Sequence, residues 1–64
     1  MRYYQIAPGI VAAINQRKDA AKIWNRVYDE LVEPCVQMIH EGKDEEAYRL
    51  YKVYTMELGQ KYMS

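Results

Sequence analysis

The sequence predicts an all-α fold, and three observations carry that prediction. Apolar residues recur three and four apart along the first two thirds of the chain. A second stretch with the same rhythm follows a glycine and a cluster of acids. Nowhere does a run of alternating apolar and polar residues compete with them. The expected unit is a small helical hairpin or three-helix unit. Its long first helix is kinked or broken at two places, between Asn15 and Asp19 and at Pro34, and its second helix covers about 44–61.

A short tail precedes the first helix, at residues 1–8, with Tyr3, Tyr4 and Ile6 available to pack on the body. Pro8 suits the first turn of a helix, where its missing N–H costs nothing. From Ile10 onward one stripe can be traced through Ile14, Arg17, Ala21, Trp24, Tyr28, Leu31, Cys35 and Met38. Its spacings alternate between three and four, and Arg17 is its one misfit. Val27, Val32, Val36 and Ile39 flank the stripe and widen it to the face of a bundle helix. Segment 15–19 is polar, and Asp19 is placed to cap a new helix. Pro34 lacks the N–H that an interior helical residue donates, and its ring would press on the carbonyl of Glu30. The stripe keeps phase through it, which favours a kink or two nearly coaxial helices over a reversal.

Gly42 ends that helix, because glycine takes the left-handed conformation common just past a helix C-terminus. Asp44 then reads as the next N-cap, with Glu45 and Glu46 in the first turn, where acids complement the helix dipole. Ala47, Leu50, Tyr51, Val53, Tyr54, Leu58 and Tyr62 form the face of the last helix. The ten residues GKDEEAYRLY, 42–51, resemble the turn and second-helix start of a tetratricopeptide repeat, with Gly42, Glu46, Ala47 and Tyr51 at matching spacing. The likeness implies a helical hairpin turn here. It stops there, since Leu31, Pro34 and Cys35 stand where that family has tryptophan, leucine and glycine. The chain also carries a single copy, where repeat folds need about three or more.

Sixty-four residues make one small domain. At this size a single core rarely supplies more than about 3–5 kcal/mol. One cysteine cannot form an internal disulfide, and it suits a reducing compartment. Self-association is therefore the expected support, with two hairpins completing a four-helix bundle as a homodimer. No apolar run reaches the length of a membrane span. The apolar stretch 6–14 is broken by Pro8 and Gly9 and lacks a cleavage site, so cytoplasm is the expected compartment.

Net charge is zero but unevenly spread. Residues 1–26 hold five bases and one acid, 27–46 seven acids and one base, and 47–64 three bases and one acid. Such polarity suits complementary packing rather than the uniform basic field of a strong nucleic-acid binder.

The candidates for chemistry are few. Cys35 and His40 are five residues apart, which turns them about 140° from each other on a helix, too far to share a proton or a metal. Cys35 on the stripe reads as a small buried apolar residue and His40 as a partner for a helix C-terminus. No zinc, di-iron or calcium-loop spacing exists, so neither metal nor cofactor is expected. Arg26 and Glu30, four apart, can pair on the surface. Arg17, Lys18, Lys22 and Arg26 line one helical edge and are the candidates for contact with nucleic acid. Seven tyrosines, one tryptophan and no phenylalanine suit half-exposed surfaces and interfaces.

The functional expectation is a non-enzymatic helical protein-interaction or regulatory accessory protein, of a bacterial or bacteriophage kind, that self-associates and binds a larger protein. Its core and dimer contacts are expected from Ile14, Ala21, Trp24, Tyr28, Leu31, Cys35, Met38, Tyr51, Tyr54 and Leu58. The alternative is a small dimeric nucleic-acid-binding regulator using the basic edge.

Overall fold

The computed structural model describes residues 6–63, and every regular element among them is helical. Helix α1 runs Pro8–Asn15 and α2 runs Ala20–Val27. A π turn, Tyr28–Val32, joins α2 to α3, Glu33–His40, and α4 spans Asp44–Tyr62. Backbone angles stay helical across both joints of the π turn, so residues 20–40 form one continuous rod. The molecule is thus a three-helix unit. Of the expected tail, residues 1–5 lie outside the described residues. Ile6 packs against the core, and α1 already begins at Pro8.

Each boundary has a local cause. Pro8 is the first residue of α1. Segment 15–19 offers no apolar side chain to hold a helix on the core. Its polar groups find other partners: Asn15 Oδ1 accepts from Trp24 Nε1 at 2.7 Å, and Asp19 Oδ1 from Arg17 Nε at 3.0 Å. Asp19 stands at the N-cap of α2 as expected, yet its side chain bonds Arg17 and leaves the helix N–H groups uncapped. Gly42, at φ 78°, takes the left-handed position. The Lys43 N–H reaches Met38 O at 2.8 Å and the Gly42 N–H reaches Ile39 O at 3.0 Å. This is the double-bonded Schellman ending of a helix. Asp44 is the first helical residue of α4 rather than its cap. Lys43 occupies the cap position, and Asp44, Glu45 and Glu46 act through the helix dipole.

Pro34 is absorbed by the π turn. The Glu33 N–H donates to Tyr28 C=O, five residues back instead of four. One extra residue thereby fits into the turn just before the proline, where a tight α-turn would drive the ring into the carbonyl of Glu30. The insertion also resets which residues share a face. Positions four apart drift round a regular helix, but across the wider turn they stay in line. Ile23, Val27, Leu31 and Cys35 are accordingly all buried, with Met38 partly so. The three-four stripe drawn on a regular helix is corrected here. Ala21 and Tyr28 lie outside the core of the single chain, Tyr28 being 56% exposed. Ile23 and Val27 hold their places.

Ile10, Ile14, Ala47 and Leu58 complete the core. Among the described residues, Ile14 is its only large side chain with no exposure at all. Trp24, Leu50, Tyr51, Tyr54 and Tyr62 pack around it half-buried. Val53, counted on the α4 face by periodicity, is exposed. Ala47 is small enough to bring α3 onto α4, where Cys35 Sγ sits 3.5 Å from the Ala47 carbonyl. The other end is open: no Cα of α2 lies within 8 Å of one in α4. There α1 enters between the two arms. A Cβ on Gly59 would stand 3.5 Å from Ile10 Cδ1, and one on Gly9 would stand 3.0 Å from Met63 Cε.

The core assignment makes a direct prediction. Ile14→Ala and Val27→Ala should each lower stability by about 2–4 kcal/mol. Ala21→Gln should stay within about 0.5 kcal/mol of the parent. Urea unfolding followed by circular dichroism measures all three.

Candidate functional site

Cys35 and His40 both lie on α3, and neither faces the other's chemistry. Cys35 is buried against Ala47, and burial pushes its thiol pKa up, so it rests as the neutral thiol, a poor nucleophile. His40 is exposed in the last turn of its helix. Among the described residues no three His, Cys, Asp or Glu side chains gather as a metal site would require. None of the described helices is long and apolar enough to cross a membrane.

Two surfaces stand out, on opposite edges of the rod 20–40. The first is apolar. Tyr28, Val32, Val36 and Ile39 each follow a core or half-buried residue by one position, and all are 40–56% exposed. They form a second stripe parallel to the buried one. Trp24 marks this edge as the side facing α1, because its indole bonds Asn15 at the end of α1, and Tyr28 lies one turn beyond. On α4, Gly59 faces Ile10 of α1, and Tyr48 lies three turns before Gly59 on the same line. The stripe and Tyr48 thus flank the groove that α1 enters. With eight residues α1 is about 12 Å long, whereas α4, with nineteen, is about 28 Å. Among the described residues, α1 covers only the upper part of the groove. Tyr48, 40% exposed, lies below that part with its ring 6.2 Å from that of Tyr51.

The second surface is the cleft between the splayed arms. The Tyr54 hydroxyl donates to Glu30 Oε1 at 2.7 Å across it. Burial, then the bond to the Glu30 carboxylate, pushes the Tyr54 pKa up to about 12. This bond also takes the acid that sequence spacing assigned to Arg26; no Arg26–Glu30 ion pair forms. Above it, Arg17, Lys22, Arg26 and Lys61 surround a recess of about 300 Å³ floored by Ile23 and Tyr62. Three members of the expected basic edge therefore converge. Lys18 does not line the recess, and Lys61 of α4 takes its place. Only the tertiary fold, which sets the end of α4 across the cleft from α2, brings Lys61 there, and no spacing in the sequence signals it.

The expected core and contact residues divide accordingly. Ile14, Leu31, Cys35 and Leu58 are buried; Trp24, Met38, Tyr51 and Tyr54 are half-buried; Ala21 and Tyr28 face outward. Comparison of the chain with models of protein families, with curated proteins and with solved structures finds no match.

The Tyr54–Glu30 bond has a signed pH dependence. The folded state holds the phenolic proton above the ordinary tyrosine value of 10.0. Its contribution is complete below pH 10 and is lost as pH rises toward 12. Ultraviolet difference titration of the parent against Tyr54→Phe should locate this ionisation near 12, and Glu30→Gln should bring it down.

Proposed function

We propose that this chain is a non-enzymatic helical interaction protein that works as a self-associated bundle and offers the assembled surface to a larger protein partner. An exposed apolar strip supports the reading. Tyr28, Val32, Val36 and Ile39 form an exposed apolar strip along one edge of the rod 20–40. Isolated apolar residues on a surface are ordinary, but a strip along one helix edge marks a contact site. A second copy fits it by both shape and charge. The hairpin end carries Glu41, Asp44, Glu45 and Glu46, and the opposite end carries Arg17, Lys18, Lys22 and Lys61. Antiparallel pairing sets the acidic end of one copy near the basic end of the other, and parallel pairing would set like against like. The two strips would then meet as the seam of a four-helix bundle, with tyrosines at its rim where their hydroxyls stay wet.

Light scattering after size exclusion tests this reading. The expected mass is a multiple of 7.6 kDa, falling to one chain for Val36→Asp, whose exposed position leaves the helical signal intact. A stable monomer of the parent at micromolar concentration would overturn it.

A further inference from the structure

We propose that the recess between α2 and α4 is a binding site for a compact, multiply charged phosphate anion, with Arg17, Lys22, Arg26 and Lys61 as its ligands. Four cations reach it from three places: the turn before α2, α2 itself and the end of α4. The one acid on its rim, Asp19, is already bonded to Arg17. Among the described residues Lys22, Arg26 and Lys61 form no ion pair. A solvated basic face spreads its charges over a convex surface. Here they bound a concavity whose floor is an isoleucine and a tyrosine ring, and such walls focus the field. Tyr62 gathers two of them, with the Arg17 guanidinium carbon 5.2 Å and Lys61 Nζ 5.5 Å from the same ring centroid. Each cation–π contact holds a charge in place, and the like charges so collected are relieved by an anion between them.

The chemistry favours phosphate. Arg17 and Arg26 present planar donor forks that match phosphate oxygens, and the two lysines add point charges. About 300 Å³ is the lower end of small-ligand sites, which suits a diphosphate group better than an extended polymer. The Tyr62 ring is engaged by cations, so the recognised part is the phosphate and not a base stacked on the ring. Lys22 and Arg26 each precede a core residue, whereas the apolar strip follows the core residues. The recess therefore lies on the opposite edge from the strip.

Nuclear magnetic resonance titration of the full chain with pyrophosphate, in a phosphate-free low-salt buffer, tests the assignment. Saturable shifts are expected at the amides of Lys22, Arg26 and Lys61. Arg26→Glu should weaken binding at least about tenfold, the loss of one charge-assisted hydrogen bond. Lys18→Glu, outside the recess, should change it less than twofold. ADP should bind as pyrophosphate does and adenosine should not, which separates the phosphate from the nucleoside. No saturable shift at millimolar pyrophosphate would overturn the site. So would equal weakening by Lys18→Glu and Arg26→Glu, or duplex DNA binding equally sensitive to both, since either result describes a diffuse basic surface.

Discussion

One missing N–H governs this structure. Pro34 stands in the interior of a helix that the core needs to be continuous, and a proline there ordinarily bends or ends it. The chain keeps the helix by lengthening one turn, with Glu33 bonded back to Tyr28. The wider turn sets the inward face as Ile23, Val27, Leu31 and Cys35, and it leaves Tyr28, Val32 and Val36 on the edge beside them. Core and exposed strip are two results of the same local adjustment. A π turn inside an α-helix is commonly found where a protein has work to do, and here it separates what the fold uses from what it leaves available.

A second constraint is the length of α1. Two long arms joined by a tight turn meet closely at the hairpin end, where Ala47 and Cys35 are both small. They part above it. Eight residues of α1 fill only the top of the gap on one side, anchored by Ile10 and Ile14. On the other side the gap remains a cleft crossed by the Tyr54–Glu30 bond. The divergence therefore opens the basic cleft on one edge of the rod, while the apolar strip runs along the other.

Much of this was legible in the residues. Pro8, the polar segment at 15–19, Gly42 and the rhythm of α4 are local signals, and they placed every helix to within a residue or two. The passage of the helix through Pro34 was legible too, from the persistence of apolar positions beyond it. What regular spacing misplaced was the exact face. A three-four alternation assumes a uniform turn and puts Tyr28 in line with Leu31, whereas the π turn leaves Tyr28 exposed in the single chain. Val53 and Asp44 were misplaced for a smaller reason. Periodicity and composition allow those roles, and only packing and backbone angles decide them. The cleft was the least visible of all, because Lys61 and Arg26 are brought together by tertiary pairing across thirty-five positions of sequence.

The brevity of α1 also orders events in time. The α3–α4 hairpin closes over a three-residue turn, so its contacts are nearly local and cost little loop entropy to form. Docking of α1 on α4, with Ile10 beside Gly59, joins the first and last helices and comes late by the same reasoning. A short helix whose docking is non-local closes the core last, with the fully buried Ile14 as the side chain that completes it.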